Sequence, residues 1–360
     1  MPVRMFSSVE TLKIPCRSKG FVTIDIHHPV AAPSASPSVA IFLPRGPIIH
    51  SEADDASNIA ILKSTLSCHI VKINYRWGAD HLFPSPIHDV LTAFDWVSEN
   101  LLPKRAIIRA GRAERAGRIG VCGELIGGQL ATALALSECQ IGKAGVVAAM
   151  VSSPITDWTE FEDLEDSGNP NTTLTKQVLL KQRKALFRKN EHWFDVFASP
   201  ALLFRSAGVE VPTTFLDRPF DEMSELAQLD REDFFQEQLS LSSASSFADY
   251  TLPPAEQEER VRKRKASRRF PSRALGLRLP SFRITTGEES PLTGQAMELA
   301  HFLRQSLDRV SNAGSHGHDA VVNQPVQYVE KPGTGLWDRS NAGRASMLDS
   351  ANWLAHSLSR

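Results

Sequence analysis

The sequence predicts an α/β fold: a mostly parallel central sheet with helices on both faces. Two patterns carry this expectation. Short apolar or alternating runs of strand length recur along the chain, and segments with apolar residues three and four apart lie between them. Strand and helix patterns alternating in this way argue for a parallel sheet covered on both sides.

The elements follow in order. Val22–Ile26 alternates apolar and polar residues, as a half-buried strand does. Val39–Leu43 is a continuous apolar run ended by Pro44, which suits a buried strand. Cys68–Tyr75 is a further strand rich in β-branched residues. Ile87, Leu91, Phe94 and Val97 then recur at helical spacing, with Trp96 nearby. Arg118–Cys122 reads as a strand, and Ile126, Leu130, Ala133, Leu134 and Leu136 as the helix after it. Val146–Val151 is the next strand.

The alternation breaks after Pro154. The following residues are rich in charge and aromatics, with helical segments at Leu174–Lys189 and Ser224–Phe235. From about Leu239 to Arg273 a serine-rich run, Pro253-Pro254 and a charge-dense tract contain too few apolar groups to offset ordering entropy, so disorder is expected. The sheet pattern resumes at Ser281–Thr285. A helix (Gln295–Leu307), a strand (Val326–Val329) and an amphipathic helix with Met347, Ala351, Leu354 and Leu358 complete it. The expected organisation is therefore a core from residues 1–154 and 276–360, split by a helical cap at 155–275 that carries the disordered linker at about 239–273.

Composition narrows the function classes. With 42% hydrophobic and 22% charged residues, the chain reads as a soluble globular protein. A net charge of −1 supplies no global field toward nucleic acid or anionic membrane, and neither is expected as a partner. Cys16, Cys68, Cys122 and Cys139 are widely spaced without a CxxC pair, which suggests reduced thiols. Met1–Gly20 lacks the apolar region of a secretory signal, and no run reaches transmembrane length. The default expectation is a cytoplasmic location.

Two motifs stand out. Gly123-Glu124-Leu125-Ile126-Gly127-Gly128, between a strand and a helix, resembles the G-x-S-x-G nucleophile elbow with leucine at the serine position. Asn74–Asp89 is similar to the D-Y-R-L-A-P-E-H-x-F-P-A-x-x-x-D block, matching at Tyr75, Arg76, His81, Phe83, Pro84 and Asp89. Together they resemble the hormone-sensitive-lipase-like group of α/β-hydrolases, over roughly residues 20–155 and 278–360. The pattern looks most like fungal members of that fold, many of which sit near secondary-metabolite genes. The resemblance implies the α/β-hydrolase fold, a cap over the active site and a Ser-Asp-His triad.

The chain departs from that pattern where chemistry resides. Leu125 stands at the nucleophile position, Ser290 at the acid position and Thr334 at the histidine position. Leucine has no lone pair with which to form an acyl intermediate. Removing the nucleophile alone costs roughly a million-fold in turnover in a serine protease. The family's oxyanion loop, His-Gly-Gly-Gly, corresponds to Pro44-Arg45-Gly46-Pro47, where Pro47 has no N–H to donate. The Ile126 N–H remains as the other donor.

Gly46, Glu124, Leu125 and Ile126 are accordingly expected to line a ligand pocket rather than a catalytic centre. Glu124 has two readings, a structural carboxylate near the turn, which is favoured, and a general acid or base. Tyr75, Arg76, His81 and Asp89 read as structural. His316-Gly317-His318-Asp319 has metal-ligand residue types in a Ser/Gly-rich loop, and neither a metal nor another cofactor is expected. The basic run Arg260–Arg269 reads as a solvated loop, with nuclear import, phosphate binding or phosphorylation of Ser267 as sharper readings. Trp158, Phe161, Phe187, Trp193, Phe194, Phe197 and Phe204 are expected mostly to pack the cap onto the core. Two functions remain open. One is a catalytically degenerate protein binding a small apolar or mixed-polarity molecule between core and cap. The other is an ester hydrolase or cyclase of modified mechanism.

Overall fold

A computed structural model describes residues 9–16, 20–29, 37–102, 107–109, 112–114, 117–161, 164, 174–207, 268–312 and 325–359. The strands are β1 (Val9–Pro15), β2 (Phe21–His27), β3 (Ser38–Leu43), β4 (His69–Asn74), β5 (Ile107–Arg109), β6 (Arg112–Glu114), β7 (Arg118–Glu124), β8 (Gly145–Ser152), β9 (Ser281–Gly287) and β10 (Val326–Lys331). The helices are α1 (Glu52–Thr65), α2 (Ser85–Asn100), α3 (Leu125–Ser137), α4 (Lys176–Leu186), α5 (Thr293–Asn312) and α6 (Asn341–Ser359).

Eight strands form one sheet in the order β1-β2-β4-β3-β7-β8-β9-β10. β1, β2 and β4 pair antiparallel, and every pair from β4 to β10 is parallel. β5 and β6 make a separate two-stranded antiparallel pair.

The pleat sends alternate side chains to opposite faces, and the two faces have separate cores. Val39, Ile41 and Leu43 of β3 point into the core covered by α2, α3 and α5. Ala40 and Phe42 point into the core covered by α1 and α6. β7 divides in the same way, with Ile119 and Val121 on the first face and Cys122 on the second. α3 is buried along its whole length except at its last residue, because it lies between the sheet and the residues that follow β8. That burial is what presents the β7–α3 junction at the carboxyl edge of the sheet.

Each strand and core helix expected from residues 22–151 and 281–358 is present, with ends shifted by a few residues. α1, β1 and the β5–β6 pair were not expected. α1 escapes a hydrophobic pattern because its buried face is largely polar, with Asp54, Asp55 and Asn58 beside Ile59 and Leu62. Those acids are met by cations from elsewhere in the chain: Lys72 lies 2.9 Å from Asp55 and Arg45 2.9 Å from Asp54. β1 is an edge strand that buries only Ile14, so it shows no inside-outside alternation.

The chain divides into one unit of Met1–Ala207 with Ser267–Arg360 and a second of Gly208–Ala266. The second lies outside the described residues, and with it the expected helix Ser224–Phe235 and most of the basic run. Ser267 and His316–Asp319 lie outside them too. The first stretch after Pro154 belongs to the core, with Trp158, Phe161, Leu174, Leu179, Leu186, Phe187 and Phe204 all buried in it. Among the expected packing aromatics, Phe194 is the exception and is exposed.

The linker expected to be disordered to about 273 is structured from Arg268 onward. Arg268 N donates to Phe204 O at 2.6 Å, and Phe270 packs edge-on against Phe204 with ring centres 5.4 Å apart. Beside this neck, the buried Arg205 meets Asp157, Glu160 and Glu298 at 2.9, 3.0 and 2.9 Å. The two chain ends at the neck are thus held together by the core itself. Replacing residues 208–266 by a short Gly/Ser linker is expected to leave the core folded, since closing a short loop costs little entropy. A cooperative thermal transition of the shortened protein is the check; an aggregated or molten product would refute it.

No helix among the described residues is long and apolar enough to cross a membrane.

Candidate functional site

β7 passes directly into α3: Glu124 is the last strand residue and Leu125 the first helical one. The turn is sharp. Glu124 is extended at φ −123°, ψ 149°, and Leu125 sits in the left-handed region at φ 51°. For a residue with a Cβ, that conformation costs roughly 1–2 kcal/mol. Leu125 is wholly buried, and burying a leucine side chain contributes about 1.5–3 kcal/mol. Hydrocarbon burial therefore offsets the backbone strain, and the tip of the turn keeps its geometry with an apolar residue on it.

The glycines flanking Leu125 are where the turn closes on its neighbours. A Cβ on Gly123 would stand 2.4 Å from Gly127 O, and a Cβ on Gly127 would stand 2.3 Å from both Leu43 O and Pro44 O. The loop after β3 is thus pressed against the start of α3. Gly46, at φ 104°, continues this contact: a Cβ there would lie 2.6 Å from Ile126 Cδ1. The structure thus brings Gly46 and Ile126 together.

The second sequence block props this loop from below. Tyr75 is buried and its hydroxyl donates to Pro44 O at 2.6 Å; burial, then the nearby Asp55, pushes its pKa well up. Asp89 is fully buried and accepts from Arg76 N and Nε at 2.9 Å each and from Nη2 at 2.7 Å. His81 is half-buried in a turn closed by its N–H on Gly78 O. Tyr75 thus holds the backbone at Pro44, and Asp89 the backbone at Arg76.

Glu124 is 2% exposed, and both of its carboxylate oxygens are engaged. Oε2 accepts from Arg45 Nε at 2.7 Å and Oε1 accepts a short bond from Trp337 N. Burial raises its pKa, while the Arg45 charge and the Trp337 N–H oppose the rise without cancelling it. Arg45 also donates to Asp54 at 2.9 Å, and Asp54 accepts from Arg339 at 3.2 Å. Glu124 ties the elbow to the loop after β3, to α1 and to the segment before α6.

Ser290 and Thr334 meet around the end of β8. Ser290 Oγ lies 3.4 Å from Ser153 Oγ and accepts from Leu292 N at 3.3 Å. Ser153 Oγ donates to Thr334 O at 3.4 Å, and Ser152 Oγ donates to Gly335 O at 2.7 Å. Ile155 N donates to Leu125 O at 3.3 Å. The corner Ser152–Ile155 therefore touches Leu125, Ser290 and Thr334. The Ser153 hydroxyl bonds the Ser290 hydroxyl on one side and the Thr334 backbone on the other. Ser153 carries positive φ, 40°, the second such non-glycine residue among those described. Sequence reasoning missed Ser153, Arg45 as a partner of Glu124, and Trp337.

The surface cavities among the described residues include two near these elements. One, of about 440 Å³, lies beside Thr334, Glu289 and Asp338 at the start of α6. The other, of about 620 Å³, lies between α1 and the antiparallel edge of the sheet. Gly46, Glu124, Leu125 and Ile126 line neither, and all four are buried.

Residues 46–216 match the family model described as alpha/beta hydrolase fold. The chain is an α/β-hydrolase-fold protein. As such it is similar to an esterase from Pyrobaculum calidifontis, at 16% identity and TM-score 0.57 over 97% of this chain and 85% of that one. It is similar to carboxyl esterase 2 of the fungus Tuber melanosporum, at 13% identity and TM-score 0.59 over 99% and 88%. A fungal esterase of Rhizomucor miehei matches at 13% identity and TM-score 0.58 over 99% and 84%. At such identities the likeness is one of fold. No curated protein sequence matches the chain.

Proposed function

We propose that this α/β-hydrolase-fold protein binds a small apolar or mixed-polarity molecule between core and cap, and that it performs no acyl transfer. One observation carries the reading: the elbow retains its strained backbone with Leu125 at the tip, where a nucleophile would stand. Glu124, the nearest carboxylate, is committed to Arg45 and the Trp337 N–H, and Ser290 and Thr334 are joined through Ser153. The expected setting is cytoplasmic, in secondary metabolism.

A fluorophosphonate probe is expected to leave the purified protein unlabelled. Turnover of p-nitrophenyl esters should fall about a million-fold below that of a serine-containing esterase. Incubation with a metabolite extract, followed by native mass spectrometry, should then recover a ligand unchanged. Stoichiometric labelling would overturn the reading at once.

The similarity to esterases favours a second reading, a hydrolase or cyclase of modified mechanism in which Glu124, Ser290, Thr334 and the Ile126 N–H are the candidates that assist the substrate. Consumption of the recovered molecule on longer incubation distinguishes it from binding.

A further inference from the structure

Residues 174–190 carry one sign of charge: Lys176, Lys181, Arg183, Lys184, Arg188 and Lys189, with no acid among them. Arg183 is buried, donates to Trp158 O at 3.4 Å and lies 4.1 Å from the centre of the Trp193 ring. Lys176 is engaged elsewhere in the chain. Lys181, Lys184, Arg188 and Lys189 are exposed, and none of them pairs with a carboxylate among the described residues. Glu191 and Asp195 follow them in the sequence, and Asp195 accepts from Phe197 N at 2.8 Å. Four cations against two acids leave a surplus of positive charge.

α4 turns Leu179, Gln182, Arg183 and Leu186 inward, so Lys181 and Lys184 stand on its outer face, and Arg188 and Lys189 follow its C-cap, Phe187. The helix dipole favours cations at the C-terminal end. It does not account for Lys181, three residues from Lys184, where like charges repel. A surface that serves solubility alone mixes both signs. The row of cations thus works against the helix, and nothing among the described residues offsets it.

An aromatic edge lies beside these cations. The chain runs from Lys189 into the 3-10 turn Asn190–Phe194, whose five residues at about 2 Å each keep Phe194 within about 10 Å of Lys189. Phe194 is 46% exposed, and Trp193 beside it is half-buried against Arg183. We propose that the outer face of α4 and the turn after it dock on an anionic lipid surface, with the four cations at the headgroups and the Phe194 ring at the acyl boundary. The cations call for an anion, and the ring for an apolar layer behind it, which a bilayer of anionic lipid supplies in that order. The net charge of −1 gives the whole chain no such attraction, so the contact is local to this face.

Flotation of the full-length protein with phosphatidylcholine vesicles, with and without about one-third phosphatidylserine, tests the contact. Binding is expected only with the anionic lipid and should be lost in about 0.5 M salt. Lys181→Gln combined with Lys184→Gln should weaken it about 25-fold, fivefold for each charge. That variant should unfold no earlier than wild type, because the change relieves repulsion. Phe194→Ser should weaken binding about tenfold, by a factor that salt does not change. Absence of binding to the anionic vesicles overturns the proposal, and is the result expected if the chain's own Glu162, Asp163, Glu165 and Asp166 cover the cations. Undiminished binding by both variants overturns it by placing the contact elsewhere, as at Arg260–Arg269. Binding to polyglutamate as tight as to the vesicles, and indifferent to Phe194→Ser, overturns it in favour of an acidic protein.

Discussion

Replacing Arg45 by methionine is expected to destabilise the protein by about 3–5 kcal/mol, the usual cost of stranding one partner of a buried ion pair. The Arg45 side chain is 6% exposed and that of Glu124 2%, so water cannot take the cation's place. Asp54 retains Arg339, whereas Glu124 keeps only the Trp337 N–H. The deficit carries a pH signature. The pKa of Glu124 in the folded protein is already raised by burial, and loss of the Arg45 charge raises it further. For a carboxyl raised on folding, the folded state binds more protons, so stability falls as pH rises through the gap between its unfolded and folded pKa. Above the folded pKa the penalty is complete; below the unfolded pKa both states are protonated and it vanishes. Urea titrations of wild type and variant across the acidic range should therefore show the difference in stability shrinking as pH falls. Adding Glu124→Gln to Arg45→Met should recover part of the loss at neutral pH. A deficit that is constant with pH and indifferent to Glu124→Gln would show that Arg45 acts by packing alone.

The second large effect is expected at Gly127. Alanine there would place its Cβ 2.3 Å from two carbonyl oxygens, Leu43 O and Pro44 O. Overpacking costs typically about 1–3 kcal/mol when side chains can move aside, and a contact with backbone lies at or beyond the upper end. Gly127→Ala is thus expected to lose about 3 kcal/mol or more by forcing α3 away from the loop after β3. Gly294, in the first turn of α5, is the contrast, because nothing lies within 4 Å of a Cβ placed there. Gly294→Ala should stabilise by about 0.5 kcal/mol through helix propensity and reduced chain entropy. Denaturation midpoints decide both. A Gly127→Ala protein as stable as wild type would mean that the elbow does not depend on this close approach.

Much of the fold was legible because it rests on periodic burial. β3 sends alternate residues to two different cores, and the helix after the elbow repeats apolar residues at its buried positions. α1 was illegible for the converse reason. Its inward face carries acids that become tolerable only when Arg45 and Lys72 arrive from distant parts of the chain. β1 was illegible because an exposed edge strand has no buried face to announce it. In the candidate site, the spacing Gly123-Leu125-Gly127 marked the turn correctly, since only small flanking residues permit that approach. The partners of Glu124 were hidden, because a carboxylate beside a turn has the same local sequence whether it meets an arginine or water.

By itself, the sequence determined the succession of the periodic core strands and helices, though not α1, β1 or the β5–β6 pair, together with the position of the strand-to-helix turn and the absence of a hydroxyl at its tip. These are local properties, set by periodicity, glycine spacing and residue identity. Only the tertiary structure decided that Arg45 turns inward to Glu124, that Ser153 joins Ser290 to Thr334, and that the neck at Phe204 and Arg268 closes. Each of these joins groups distant in the chain, and their free energy comes from burial and charge pairing that exist only once the sheet has assembled.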